Sequence, residues 1–388
     1  MKIANVSPYI TSTFESEKFY NIQAIGLATE LVKKGISVDI YTGSPQKSLN
    51  GQVREIYVNN KSFFRIYYLP TKFVFAGQIP VITSLIKMLK GNNYDLIQTS
   101  EDFQLTTLEL ALFRKSLNTP LVIFQGVYTY TYRKILRSLQ ELFDKTINKN
   151  IIMPNVDLVI TKTKTAEKFM QKKGYKRVIT IPVGIHSDKF SPKDKSAFRD
   201  EIGISNEDPL LLYVGRLEPY RDLLTLIRSM KVISRDFPTA KLLIVGKGSL
   251  EDKIRIISNH NKNIILLGKI PNSKMPWVYS AADITLLPMK KTCVFTFGMV
   301  ILESMACGTP VISVPVPGAK DILNVWRNGI LVPFEDHKTL ADAVITLLEN
   351  EKLRKKMGEN ARKIIERNYD WRVLVKKYIK AYKSVIGD

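Results

Sequence analysis

Residues 297–313 of the chain read FGMVILESMACGTPVIS. This pattern predicts a loop, one helix and a buried strand, because Gly298 permits a close backbone approach and Gly308 with Pro310 ends a helix before a β-branched run. A helix N-terminus presents unpaired N–H groups and the positive end of the helix dipole. The stretch therefore predicts an anion-binding site.

Glu303 lies about a turn and a half into this predicted helix, among apolar neighbours. Burying a carboxylate there is costly unless it accepts hydrogen bonds, so we expect it to meet donors such as sugar hydroxyls. The alternative is a glutamate on a solvated helix face.

Apolar runs alternate with helical patterns along the rest of the chain, which favours an α/β protein with doubly wound parallel sheets. In the first half we predict strands at 3–7, 37–42, 63–69, 95–99, 121–125, 157–161 and 177–182, and helices at 18–34, 79–90, 105–115, 133–146 and 165–173. Residues 187–209 are polar and carry Pro192, Gly203 and Pro209, and the alternation restarts near Leu210. We therefore predict domains at 1–187 and 188–370, and a C-terminal helical segment at 371–388 that packs back toward the first domain.

Composition fits this organisation. A chain of 388 residues with 45% hydrophobic and 24% charged residues is an ordinary globular protein with room for two domains. Its net charge of +22 predicts attraction to phospholipid, nucleic acid or phosphate-bearing substrates. Two cysteines, no Cys/His metal spacing, and no signal-type or membrane-spanning run lead us to expect a cytoplasmic protein without a metal site.

Two arginines follow the strand predicted to end at Val214. Arg216 and Arg221 lie in a loop that begins with Gly215, at the end of a strand where open α/β sheets bind ligands. Guanidinium groups match phosphate oxygens bidentately, so the pair predicts a phosphate site. The alternative is that each arginine forms a surface ion pair, with Glu218 and Asp222 respectively.

Five motifs in order resemble the nucleotide-sugar domain of glycosyltransferase family 4. They are VGRL at 214–217, IVGKG at 244–248, LGKIP at 267–271, YSAADI at 279–284 and the stretch at 297–312. The resemblance implies the GT-B fold, with two Rossmann-like domains facing each other across a cleft. It also implies a retaining, metal-independent glycosyltransferase without a cofactor, which takes a nucleoside diphosphate sugar, UDP- or GDP-linked, as co-substrate.

The resemblance also implies roles for individual residues. Arg216 and Arg221 would hold the donor diphosphate as the catalytic pair, and Glu303 would bind the ribose. The other residues expected on the donor side are Gly215, Gly246, Lys269, Ile270, Phe295, Thr296, Phe297, Gly298, Met299 and Val300. Those expected on the acceptor or sugar side are Thr11, Ser12, Thr13, Gln125, Gly126 and His186.

Three positions depart from the family pattern. Phe295 stands where relatives usually have a second glutamate, and Gln125 stands where they often have a histidine. The loop at 9–17 lacks their paired glycines. These departures favour an altered donor sugar, and they keep open a catalytically altered or inactive homologue that binds nucleotide. A nucleotide-sugar epimerase is a further alternative, whereas nucleic-acid binding rests on net charge alone and is not expected.

Two segments in the first half suggest a membrane surface as a further partner. Residues 128–139 mix aromatic with basic side chains, and residues 73–82 are unusually apolar. Helices of this kind can lie in the interface of an anionic bilayer, although they can equally bury their apolar faces in a core. We therefore predict a glycan or lipid-linked acceptor, with peripheral association at the cytoplasmic membrane face.

Overall fold

The computed structural model describes residues 1–8, 23–44, 49–75, 79–292 and 298–387. It divides the chain into two compact units, Met1–Gly184 with Trp371–Asp388, and Ile185–Asp370. The junction predicted at 187/188 lies close to this division. Each unit is built on its own sheet.

The first unit contains a sheet of nine described strands in the order β3-β4-β2-β1-β6-β7-β8-β9, with β5 paired to β4. These strands are β1 Lys2–Val6, β2 Ser37–Ser44, β3 Val53–Tyr57, β4 Phe63–Phe75, β5 Ile79–Ile82, β6 Leu96–Ser100, β7 Leu121–Gln125, β8 Leu158–Thr161 and β9 Val178–Thr180. Pairing is parallel except for β3 and β5, which both run antiparallel to β4. The parallel strands are rich in buried apolar residues, as expected for a sheet covered on both faces.

The helices of this unit connect those strands. They are α1 Gln23–Lys33, α2 Leu85–Lys90, α3 Leu105–Leu112, α4 Arg114–Leu117, α5 Lys134–Phe143 and α6 Lys164–Lys173. A π-helical segment, Asp144–Ile152, and a short 3-10 turn, Met153–Asn155, continue from α5.

The single helix predicted at 79–90 is wrong. Ile79–Ile82 forms strand β5, whose alternating burial has the two-residue period of a strand. Ser84 then adopts φ 68°, and α2 begins only at Leu85. Pairing with the long β4 has overridden the local helical pattern, because apolar alternation over four residues is compatible with either element.

The second unit contains a six-stranded, all-parallel sheet in the order β12-β11-β10-β13-β14-β15. Its strands are β10 Leu210–Val214, β11 Lys241–Val245, β12 Ile264–Gly268, β13 Ile284–Leu287, β14 Val311–Ser313 and β15 Ile330–Leu331. Its helices are α7 Lys195–Glu201, α8 Leu223–Asp236, α9 Glu251–Asn259, α10 Met275–Ala281, α11 Met299–Ala306, α12 Pro317–Ile322, α13 His337–Glu349 and α14 Glu351–Ile364. The strand order reverses between β10 and β13, as in a doubly wound Rossmann sheet.

The last helix, α15 at Trp371–Ile386, belongs to the first unit. Trp371 occupies the space beside two glycines: a Cβ added to Gly26 would lie 2.3 Å from the indole Nε1, and one on Gly184 would lie 2.5 Å from the ring. Tyr382 donates a hydrogen bond to Gln98 of β6 at 2.7 Å. The helix is therefore anchored to α1 and to the first sheet.

Candidate functional site

The second sheet brings four loops together at one edge. Strands β12, β11, β10 and β13 are consecutive neighbours and parallel, so the loops that follow them leave the same edge of the sheet. The reversal of strand order falls between β10 and β13. In open α/β sheets ligands bind at this point, so the loops after these two strands are the expected binding site.

Glycines let the loops after β10 and β11 pack backbone against backbone. Gly215 donates its N–H to the carbonyl of Val245 at 3.0 Å. A Cβ added to Gly246 would lie 1.8 Å from the carbonyl oxygen of Gly215, closer than any real contact. Gly246 also donates to the Gly268 carbonyl at 2.7 Å, which links the loop after β12 to the same edge. A side chain at position 246 would separate these loops.

Arg221 is half-buried beside this edge, whereas Arg216 is exposed. The Arg221 guanidinium lies over the Tyr220 ring at 5.4 Å, and its Nη1 is 4.0 Å from the sulfur of Met289, just beyond β13. Its Nε is buried and finds no hydrogen-bond partner in the part of the chain that the structure describes. A buried N–H donor of a permanently charged group without an acceptor is costly, so the arginine is prepared for an anion.

The surface ion pairs considered for these arginines are not observed among the described residues. The Glu218 carboxylate accepts instead from Ser249, at 2.7 Å from the hydroxyl and 3.2 Å from the backbone N–H. These bonds lower the pKa of Glu218. The Oδ2 atom of Asp222 is buried and has no hydrogen-bond partner within the described ranges, at a residue with φ 51°. Arg221 therefore has no carboxylate partner among the residues that the structure describes.

Helix α11 begins as predicted from the sequence. Gly298 precedes it with φ 79° and ψ 56°, a left-handed conformation that favours glycine, and the helix proper starts at Met299. The first N–H groups of any helix lack intrahelical partners, and here they belong to the half-buried Met299 and Val300. The predicted glycine-started helix is confirmed.

Glu303 is buried, so the alternative of a solvated glutamate is wrong. Its side chain is only 8% exposed, and its Oε2 accepts a hydrogen bond of 2.6 Å from the hydroxyl of Tyr279 on α10. Burial and the nearby carboxylate raise the pKa of Tyr279 well above its ordinary value, so the phenol remains a donor. The carboxylate is thus held in a fixed orientation on α11.

The remaining predicted donor residues divide into two groups. Lys269 is exposed and Ile270 half-buried, both immediately after β12 and its terminal Gly268, which has φ 71°. Phe295, Thr296 and Phe297 lie outside the described residues, as do Thr11, Ser12 and Thr13 on the predicted acceptor side.

In the first unit, Gln125 supports backbone at the end of β7. Its side chain is fully buried; Oε1 accepts from the N–H of Asp102 at 3.0 Å, and Nε2 donates to the Val127 carbonyl at 3.4 Å. The amide therefore joins the loops after β6 and β7. This differs from the expectation of a side chain directed at a sugar, because its polar atoms are engaged by the backbone.

Sequence analysis did not identify two residues at the carboxyl edge of the first sheet, Glu101 and Lys162. Glu101, after β6, accepts from the N–H groups of Gly126 at 3.0 Å and Val127 at 3.2 Å, and a Cβ on Gly126 would lie 2.2 Å from the Lys162 ammonium. Burial raises the pKa of Glu101, and the positive charge of Lys162 acts in the opposite direction. The signal in the sequence was a polar residue at the carboxyl end of each of three neighbouring strands: Glu101 directly after β6, Gln125 as the last residue of β7, and Lys162 directly after β8.

His186, in the second unit, lies in a structural turn. It is 8% exposed, and its carbonyl accepts from the N–H groups of Lys189 and Phe190 at 3.1 and 3.0 Å. Arg362 donates to the carbonyls of Ser187 and Phe190, at 2.8 and 2.7 Å. This turn is therefore fixed by α14.

Comparison with known families matches both halves of the chain. The family described as glycosyl transferases group 1 matches residues 194–364, and glycosyltransferase family 4 matches residues 21–189. The chain is 26% identical over 400 residues to a D-inositol 3-phosphate glycosyltransferase of Corynebacterium glutamicum, a match that covers 95% of this chain and 92% of the relative.

Other curated relatives match over a shorter span. A GDP-mannose-dependent monoacylated alpha-(1-6)-phosphatidylinositol monomannoside mannosyltransferase of the same species is 31% identical over 202 residues, 50% of this chain and 53% of the relative. A glycosyltransferase of Methanocaldococcus jannaschii is 30% identical over 195 residues, 49% of each chain. The chain thus spans about half the length of several curated relatives that it matches.

Solved structures match over nearly the whole chain. Sucrose-phosphate synthase from Thermosynechococcus elongatus gives a TM-score of 0.77 at 20% identity, covering 99% of this chain and 98% of that one. HepE from Anabaena, solved in complex with UDP, gives 0.76 at 18% identity and covers 99% and 100%. At this identity the similarity concerns the fold. The two family matches together cover residues 21–189 and 194–364 and place the chain among glycosyltransferases of the family 4 type, and the solved structures show that it has the GT-B fold.

Proposed function

We propose that the chain is a retaining glycosyltransferase that moves a sugar from a nucleoside diphosphate sugar to a hydroxyl group of a glycan or lipid-linked sugar. The observation that carries this proposal is the Arg221 side chain at the strand-order reversal, whose buried Nε has no acceptor among the described residues. A diphosphate supplies oxygen acceptors and negative charge together, and α11 begins after the neighbouring strand.

In this proposal the nucleotide lies along the carboxyl edge of the second sheet. Arg216 and Arg221 bind the diphosphate, assisted by the first N–H groups of α11. Glu303 accepts hydrogen bonds from the ribose hydroxyls, in an orientation maintained by Tyr279. The base lies beside Lys269 and Ile270, after β12.

The proposed reaction breaks the bond between the anomeric carbon and the leaving phosphate oxygen. The acceptor hydroxyl forms its new bond to the same face of that carbon, and its proton passes to the departing diphosphate. Negative charge therefore grows on the diphosphate in the transition state, and its stabilisation by Arg221 and the α11 N-terminus is the main contribution we assign to the protein. The proposal requires no metal ion; among the described residues no group of three or more His, Cys, Asp or Glu is placed to hold one.

Relatives support UDP and GDP as the first nucleotides to test. Structures of Anabaena HepE contain UDP or UDP-glucose, and one relative is described as GDP-mannose-dependent. These ligands belong to those proteins. For this chain we propose a UDP- or GDP-linked donor, with a sugar pocket altered around Phe295.

We place the acceptor at the carboxyl edge of the first sheet, beside Gly126, Glu101 and Lys162. That residues 11–13 and His186 also contact acceptor or sugar stays a prediction from the sequence. We also propose a cytoplasmic location with peripheral attachment to the membrane face, where a lipid-linked acceptor would be found. Among the described residues, every helix is too short or too polar to cross a bilayer.

The test is thermal stabilisation by UDP, GDP, ADP and their sugar conjugates, followed by assays of donor hydrolysis and transfer. We expect one nucleoside diphosphate to stabilise the wild type but not the variant Arg221→Ala. The matched control is Arg228→Ala, which removes an exposed arginine of α8 and should be stabilised like the wild type. Binding without hydrolysis or transfer would favour the inactive homologue, and interconversion of donor epimers would favour the epimerase. Stabilisation by nucleic acid alone would overturn the proposal.

A further inference from the structure

Helix α5 exposes most of its apolar residues to solvent, whereas Phe143 is half-buried against a core cluster. None of its ten residues is buried. Ile135, Leu139 and Leu142 are 80%, 57% and 58% exposed, and their spacing of four and three residues places them on one face. Single exposed apolar residues are common, but a row of three along one helix face is an unpartnered surface.

The opposite, polar side of the same helix faces the protein. Gln140 accepts a hydrogen bond of 3.0 Å from the N–H of Thr131. One turn further, Asp144 accepts from the Tyr130 hydroxyl at 2.7 Å and pairs with Lys173 at 2.7 Å. An ordinary surface helix buries its apolar stripe and exposes its polar face. In α5, Phe143 packs against a core cluster, but Ile135, Leu139 and Leu142 are exposed, so most of the apolar surface of the helix faces solvent.

The charges beside this apolar row are predominantly positive. Residues 133–149 contain two acidic side chains, and both are in ion pairs: Glu141 with Arg137 at 2.8 Å, and Asp144 with Lys173. Four further cations are exposed and form no ion pair with the rest of the described chain: Arg133, Lys134, Lys145 and Lys149. An apolar row bordered by unpaired cations is complementary to a surface that is apolar beneath an anionic layer.

We propose that the outward face of α5 docks the protein on an anionic lipid bilayer, with Ile135, Leu139 and Leu142 inserted among the acyl chains. Lys145 and Lys149 contact lipid phosphates, and the helix lies flat in the interface. The net charge of +22 strengthens the same attraction. This inference deepens the membrane attachment proposed above and rests on that proposal.

The experiment is flotation of the full chain with vesicles of phosphatidylcholine alone or of phosphatidylcholine with phosphatidylglycerol, at low and high salt. The test variant combines Ile135→Gln, Leu139→Gln and Leu142→Gln, since glutamine retains good helix propensity. The matched control is Ile256→Gln, a single 62%-exposed residue on α9. A second variant, Lys145→Gln with Lys149→Gln, tests the charge contribution.

We expect the wild type and the α9 control to float with anionic vesicles at low salt. The triple variant should bind about 1,000-fold more weakly, since burial of each large aliphatic side chain is worth about tenfold or more. The double lysine variant should lose about 20-fold at low salt and little at high salt. All variants should retain the wild-type thermal transition, because the exchanged side chains are exposed.

Three outcomes would overturn the inference. In the first, the wild type fails to float with anionic vesicles at low salt, and in the second, the triple variant floats equally well. In the third, neither chain binds vesicles, and light scattering without lipid shows a dimer for the wild type but a monomer for the triple variant. The covering partner would then be a second copy. Stabilisation by a nucleoside diphosphate, measured without lipid, tests the nucleotide site independently of this surface.

Discussion

The exchange Glu303→Gln tests the proposed ribose contact most directly. Glu303 is buried on α11 and accepts a hydrogen bond of 2.6 Å from Tyr279. Glutamine preserves the size of the side chain and retains a carbonyl oxygen for the Tyr279 hydroxyl. The exchange therefore removes the negative charge while disturbing the packing little.

The expected magnitude follows from the change in hydrogen-bond type. A hydrogen bond to a charged group contributes about 1.5–3 kcal/mol and a neutral one about 1 kcal/mol, so the affinity for a nucleoside diphosphate should fall by about 0.5–2 kcal/mol, or roughly 2- to 30-fold. Tyr279→Phe is the companion variant. It leaves the buried carboxylate without this donor and should lower the free energy of unfolding by about 1.5–3 kcal/mol.

The assay is calorimetric titration with UDP or GDP, whichever stabilises the wild type, and with the corresponding 2′,3′-dideoxynucleoside diphosphate. Glu303→Gln should weaken binding of the ribonucleotide only, because the dideoxy compound has no ribose hydroxyl to donate. Equal losses for both ligands, or no loss for either, would refute the assignment of Glu303 to the ribose.

Three further outcomes are expected. Arg221→Ala should lower the rate of donor hydrolysis by about 100-fold or more and Arg221→Lys by only about tenfold, since lysine keeps the charge without the fork; equal rates for alanine and wild type would contradict a phosphate role. Gly246→Ala should lower the free energy of unfolding by about 3 kcal/mol, measured by denaturant titration, because its Cβ would overlap the Gly215 carbonyl oxygen at 1.8 Å; an unchanged transition would count against the described packing. Burial raises the pKa of the Cys307 thiol to about 12, so only about one thiol in 10,000 is ionised at pH 8. In a Cys293→Ser chain, a thiol reagent should therefore label Cys307 rapidly only after denaturation, and fast labelling of the native protein would be the opposite result.

The sequence predicts α11 correctly because its signals are local. Gly298 adopts the left-handed conformation that only glycine takes easily, and the apolar run after it specifies a buried helix. The glycines that end β10 and β11 are readable for the same reason. Segment 79–90 was mispredicted because strand pairing with β4 is a non-local interaction that the pattern does not contain.

The first unit shows most clearly where sequence reasoning stops. Gln125 was identified by position alone, but only the structure shows that its amide binds the backbone of two loops. Glu101 and Lys162 are 61 positions apart in the chain and meet because β6, β7 and β8 are neighbours in the sheet. Such proximity depends on strand order, which a single sequence does not specify.

The sequence by itself determined the alternation of strands and helices, the glycine loops, and the family to which the chain belongs, since these depend on residues close together along the chain. Tertiary structure decided which polar groups are buried and that Tyr279 orients Glu303. It further decided that no described residue offers an acceptor to the Nε of Arg221. It also decided the direction of α5. An amphipathic pattern is the same whether its apolar face points inward or outward, and only the packing of Gln140 and Asp144 against the protein shows that here it points outward.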